Sequence, residues 1–122
     1  MLHAIKPVSG KAYSNPVTKG ARDVEYDVLS QVTRLLMQAP RQCHDVETIR
    51  AVARNNELWT VFASALVDPA NLLEGEVKSG LLSLARYALK HGQLVLAGKG
   101  ATDVLIDINM SVMKGLRGAG AA

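Results

Sequence analysis

Four side chains in this sequence have the chemistry of transition-metal ligands: His3, Cys43, His44 and His91. A metal site needs three or four such ligands at spacings that one fold can gather. Only Cys43 and His44 are neighbours, and the other two lie in separate regions, so the set reads as a chance arrangement. Cys43 as a nucleophile would require a base and a group to orient it. His44 points elsewhere on any helix, so that pairing is set aside. The stretch Gly92 to Gly100 contains Gly98-Lys99-Gly100, a faint echo of a phosphate-binding loop. Such a loop has four residues between its glycines, then Lys and a hydroxyl residue, and it follows a strand. Here five residues separate Gly92 from Gly98, Gly100 occupies the hydroxyl position, and no strand pattern precedes it. The stretch is expected to be a helix-ending turn. No catalytic, metal or cofactor site is expected, and the chain is not expected to be an enzyme.

Polar residues set among apolar ones carry the remaining chemistry. Asn55 lies one turn before Trp59, the sole tryptophan. Asn109 follows Ile108 and precedes Met113 by one turn, and Asn71 precedes Leu72-Leu73. Buried amides usually cap turns or join helices, which is the structural role expected of Asn55 and Asn71. For Asn109, a contact to a partner is as reasonable as a structural bond. Trp59 suits a core, yet tryptophan is also enriched at binding hot spots, so both roles stay open.

The elements that must position these residues are helical. Residues 1–22 carry Pro7, Gly10, Pro16 and Gly20 and are expected to be irregular. A first helix is expected from Asp23 to about Gln38, with Val28 or Leu29, Val32 and Leu35 or Leu36 inward, and Pro40 beyond it. A second runs from Asp45, a suitable cap, to Val67 before Asp68-Pro69, with Val46, Ile49, Val52, Trp59, Phe62, Ala63 and Leu66 on one face. A third, from about Leu73 to Leu96, has the stripe Val77, Leu81, Leu84, Ala85, Ala88, Leu89 and Val95, widened by Leu82 and Tyr87 as in a central helix. Gly80 is read as a close approach between helices, and Gly92 as a kink or an early end. A fourth spans Thr102, as its cap, to Leu116, with Val104 or Leu105, Ile108, Val112 and Leu116 inward. The predicted organisation is all-α: an irregular segment over 1–22, a four-helix bundle-like domain over 23–117 and a flexible tail over 118–122.

Composition agrees. Of the 122 residues, 48% are hydrophobic but only 4% aromatic, a balance that favours helices over strands. The single cysteine excludes an internal disulfide and fits a reducing compartment. No signal peptide or spanning segment is read, so the expected location is cytoplasmic, away from membranes. The net charge of +3 is spread along the chain, which argues against RNA as a direct ligand.

Three segments carry a resemblance to a known family. They are Arg22-Asp23-Val24-Glu25-Tyr26 with Val32-Thr33-Arg34-Leu35-Leu36; Asn55-Asn56-Glu57-Leu58-Trp59 followed by Asn71-Leu72-Leu73; and Leu105-Ile106-Asp107-Ile108-Asn109 with Met113-Lys114-Gly115-Leu116. In order and spacing, over residues 13–116, they resemble FlaF, the regulator of flagellin synthesis in alphaproteobacteria. The sequence departs at Glu74, where the family pattern leads to proline. The resemblance implies a helical, non-enzymatic protein that promotes flagellin production, with flagellin as a partner and FlbT, the opposing regulator, as another. A chaperone-like factor that holds flagellin before export is one form of that role. Post-transcriptional action on the flagellin message, directly or through FlbT, is the alternative.

A partner surface is expected on the fourth helix, at Ile106, Asp107, Asn109, Met110 and Met113, with Trp59 as a further candidate. Methionines repack easily against varied ligands, while Asp107 and Asn109 would fix register. Packing of Ile106 and both methionines on the N-terminal segment is the competing expectation.

Overall fold

The computed structural model of the chain describes residues 21–40 and 45–121. Among them stand four α-helices and no strand: α1 (Ala21–Gln38), α2 (Val46–Val67), α3 (Gly75–Leu96) and α4 (Asp103–Ala121). Residues 1–20 and the Cys43-His44 pair, on which several expectations fell, lie outside the described residues.

Local chemistry sets the helix ends. The Asp45 carboxylate accepts the Glu47 N–H at 2.8 Å and caps α2, as expected of this residue type. At the other end the Asp68 carboxylate accepts the Ala70 N–H across the turn at Pro69. Asn71 then joins two helices. Its amide donates to the Ala65 carbonyl of α2 and its oxygen accepts the Leu73 N–H, both at 2.9 Å. The turn at residues 71–74 stays non-helical, so α3 starts at Gly75 and not at Leu73. Gly98 closes α3 with φ of 77°. There the Lys99 N–H returns to Leu94 O and the Gly98 N–H to Val95 O, the paired bonds of a Schellman end. The helix-ending turn expected here is therefore present.

Other ends differ from expectation. Ala21 and Arg22 are already helical, since neither favours a break. Thr102 holds the cap position of α4 through its carbonyl, which accepts the Ile106 N–H. Its hydroxyl is buried without a hydrogen bond, so it does no side-chain capping. α4 continues through Gly115 to Ala121, past the tail boundary expected at 118.

The helices pack as a ring. α2 lies most closely on α3 and α1 on α4, while α1 meets α2, and α3 meets α4, over less surface. The pairs α1/α3 and α2/α4 thus face each other across diagonals. The larger apolar cluster takes Leu29 and Val32 from α1, Trp59, Phe62 and Leu66 from α2, Leu81 and Ala85 from α3, and Ile108, Val112 and Leu116 from α4. A second cluster joins Leu36, Ala39, Val52, Val95, Leu105 and Ile106. Trp59 meets Phe62 edge to face, with centroids 5.5 Å apart.

Several inward assignments are corrected. Val46 and Ile49 are exposed, because the core side of the first turn of α2 belongs to Thr48, whose hydroxyl donates to the Pro40 carbonyl. Val77 and Tyr87 are exposed too, so α3 is not a central helix. Gly80 faces open space. The close approach is at Gly92, inside an unbroken α3, where an added Cβ would sit 2.2 Å from Asn56 Oδ1.

Candidate functional site

The amides split into structural bonds and surface. Trp59 and Asn109 are both fully buried. Trp59 Nε1 donates to Asn109 Oδ1 at 2.9 Å, and Asn109 Nδ2 donates to Asn55 Oδ1 at 2.7 Å. This chain of bonds crosses the α2/α4 diagonal and holds the two helices in register. Asn55 Nδ2 is left buried without an acceptor. Asn55 and Asn71 are both buried and hydrogen-bonded within the domain. For Asn109 and Trp59, where two roles were open, the structure places both in the core. Ile106 belongs to the second apolar cluster, packed by the domain itself. Trp59 and Asn109 expose no surface in the folded domain, and Ile106 keeps 9% of its own.

Asp107, Met110 and Met113 remain. Asp107 is exposed, Met110 is 49% exposed, and Met113 is half-buried with its sulfur 3.8 Å from the Thr33 hydroxyl, which donates to it. The two methionines open onto a groove of about 430 Å³ between α1 and α4, lined by Tyr26, Met110, Ser111, Met113 and Lys114. At about 100° per residue, Asp107, Met110, Ser111 and Lys114 share the outer face of α4, so an acid and a base stand beside the apolar floor. Tyr26 rises from the first turns of α1 and packs its ring against the larger cluster. It was not among the expected site residues. Its signal was available: Tyr26, Leu29 and Thr33 recur along α1 at intervals of three and four residues.

A larger groove of about 730 Å³ lies between the end of α1 and the start of α2, lined by Leu35, Ala39 and Ala51 together with the charged Glu47, Arg50 and Arg54. Among the described residues no three of His, Cys, Asp and Glu gather in a metal-ligand group. His91 Nε2 lies 2.9 Å from the Ala101 carbonyl, a bond that ties α3 to the turn before α4. Among these residues no helix is long and apolar enough to cross a membrane. The α1/α4 groove offers adaptable apolar contact with a polar rim, which suits binding a side-chain stripe of another chain.

The model of a family described as flagellar protein FlaF matches residues 10–116. No curated protein and no solved structure matches the chain.

Proposed function

The chain belongs to the FlaF family of flagellar proteins, and from that premise we propose that it is a non-enzymatic regulator of flagellin production that binds flagellin, chaperone-like, in the cytoplasm before export. The observation that carries this reading is the methionine-lined groove between α1 and α4. Flagellin ends in amphipathic helices that pack only in the filament, so the free monomer has apolar stripes to shield. A helix laid in a groove presents anchors at i, i+3, i+4 and i+7. Met110 and Met113 have the flexibility to meet such anchors, and Asp107 and Lys114 can set the direction of the bound helix. Ordering a loose segment on binding costs a few kcal/mol, which keeps the complex releasable.

The test is titration calorimetry with unassembled flagellin. Met110→Asp puts a charge into the groove at an exposed position and is expected to weaken binding by about tenfold with an unchanged melt. Equal affinity for the parent and this folded variant would remove the groove from consideration. A steep fall of affinity with salt would point to phosphate contacts instead, and so to the flagellin message.

A further inference from the structure

α3 carries more apolar surface than the bundle covers. Its core row is Leu81, Ala85, Ala88, Gly92 and Val95. A second row, Val77, Gly80, Leu84, Tyr87, His91 and Leu94, recurs at intervals of 3, 4, 3, 4 and 3 residues. That alternation is the spacing by which one helix seats its side chains in another. The fold leaves this row largely open. Val77 and Leu94 are 39% exposed and Tyr87 is 53% exposed. Leu84 is half-buried at the edge of the larger cluster, and Gly80, with no atom within 4 Å of its Cβ position, adds no side chain that would obstruct an approaching helix. The Tyr87 and His91 rings lie beside each other with centroids 6.3 Å apart, and His91 is anchored to Ala101.

Charge says what fits there. Between Glu76 and Asp103 there is no acidic residue, while Lys78, Arg86, Lys90 and Lys99 all fall in that stretch. The chain has 14 basic and 11 acidic residues, so outside this stretch 10 basic residues face 11 acidic ones. All the excess positive charge is therefore carried by α3 and the turn after it. Lys90 stands beside the open row, and Arg86, one turn before it, lies further round on the same side; both are exposed. Charges beside such a seam select the partner.

We infer that this face of α3 docks an amphipathic helix of another protein, one whose apolar heptad stripe is flanked by acidic residues. A second copy of the chain fits poorly, because its own Arg86 and Lys90 would meet like charges. The seam contributes nothing to the α1/α4 groove, so the inference does not rest on flagellin binding there.

The probe is a synthetic helix of about three heptads with leucine at both seam positions and glutamate beside them. Its binding to the full chain is read by fluorescence anisotropy, next to a companion peptide with lysine in place of glutamate. The glutamate peptide is expected to bind at least about tenfold more tightly than its companion. Tyr87→Glu, and separately Arg86→Glu with Lys90→Glu, are each expected to weaken it by about tenfold with flagellin affinity unchanged. Equal binding of the two peptides overturns the inference, as does unchanged affinity in the doubly reversed variant. Should Tyr87→Glu melt early, the charge-reversed pair at exposed positions decides alone. A dimer seen by sedimentation and lost in Tyr87→Glu assigns the seam to a second copy and overturns it. Oligouridylate binding that is lost on charge reversal but kept in Tyr87→Glu assigns the face to nucleic acid and overturns it equally.

Discussion

Asn109 is the hub of the buried amide chain, since it accepts from Trp59 and donates to Asn55. Replacing it strands two groups, and each buried group left without its partner costs roughly 1–3 kcal/mol. Replacing Asn55 strands only the Asn109 amide and removes an Nδ2 that already lacks an acceptor. Asn109→Leu is therefore expected to lower the urea midpoint by more than Asn55→Leu does. The reverse order would show that Asn109 does not organise the bridge. Trp59→Ala, at a fully buried site, is expected to cost about 3–5 kcal/mol, and a melt that barely moves would contradict its place in the core. From sequence alone the two roles of Asn109 could not be separated. An amide at the edge of an apolar face can bond inward or outward, and the partner that decides, Trp59, is 50 residues away in the chain.

At the scale of the element, the same substitution should act differently at three glycines of α3 and its end. Gly80 is helical and faces open space, so Gly80→Ala is expected to gain up to about 1 kcal/mol from helix propensity. Gly98, at φ of 77°, has the conformation that L side chains avoid, so Gly98→Ala is expected to cost about 1–2 kcal/mol. Gly92→Ala collides with Asn56, and the loss should be relieved in Gly92→Ala/Asn56→Ala, giving a coupling of about 0.5–3 kcal/mol in thermal melts. Additive effects at positions 56 and 92 would sink that account. The existence and order of the helices were legible because apolar spacing and the Asp45 and Gly98 signals agree. What the spacing could not show is which apolar residues a neighbouring helix reaches. At about 100° per residue, Val46 and Trp59 stand about 140° apart around α2, too wide for the single inward face on which the apolar spacing sets both. Gly80 and Gly92 are alike in sequence. Only the packing of α2 against α3 separates the open one from the close one.

Across the whole molecule, the apolar interior is divided between two clusters. Leu36, fully buried, belongs to the smaller one, and Trp59 to the larger. All four helices contribute to both, and the amide bridge spans the α2/α4 diagonal. Neither cluster has a helix of its own that could stay folded after the other is lost. Charge, in contrast, is uneven at this scale: a net +3 that reads as scattered in the chain sets a basic α3 against other described helices in which, taken together, acidic residues outnumber basic ones, with Lys6, Lys11, Lys19 and Arg41 outside the described residues. That asymmetry is legible only once helix boundaries assign the cations to one element. The division of the core makes cooperativity measurable. Leu36→Ala is expected to cost about 2–5 kcal/mol, and Trp59 fluorescence reports from the other cluster. If the domain folds as one unit, fluorescence and far-ultraviolet circular dichroism should shift together to the same lower denaturant midpoint. A variant in which helicity falls while Trp59 keeps the parent's midpoint would show that the smaller cluster opens separately from the larger one.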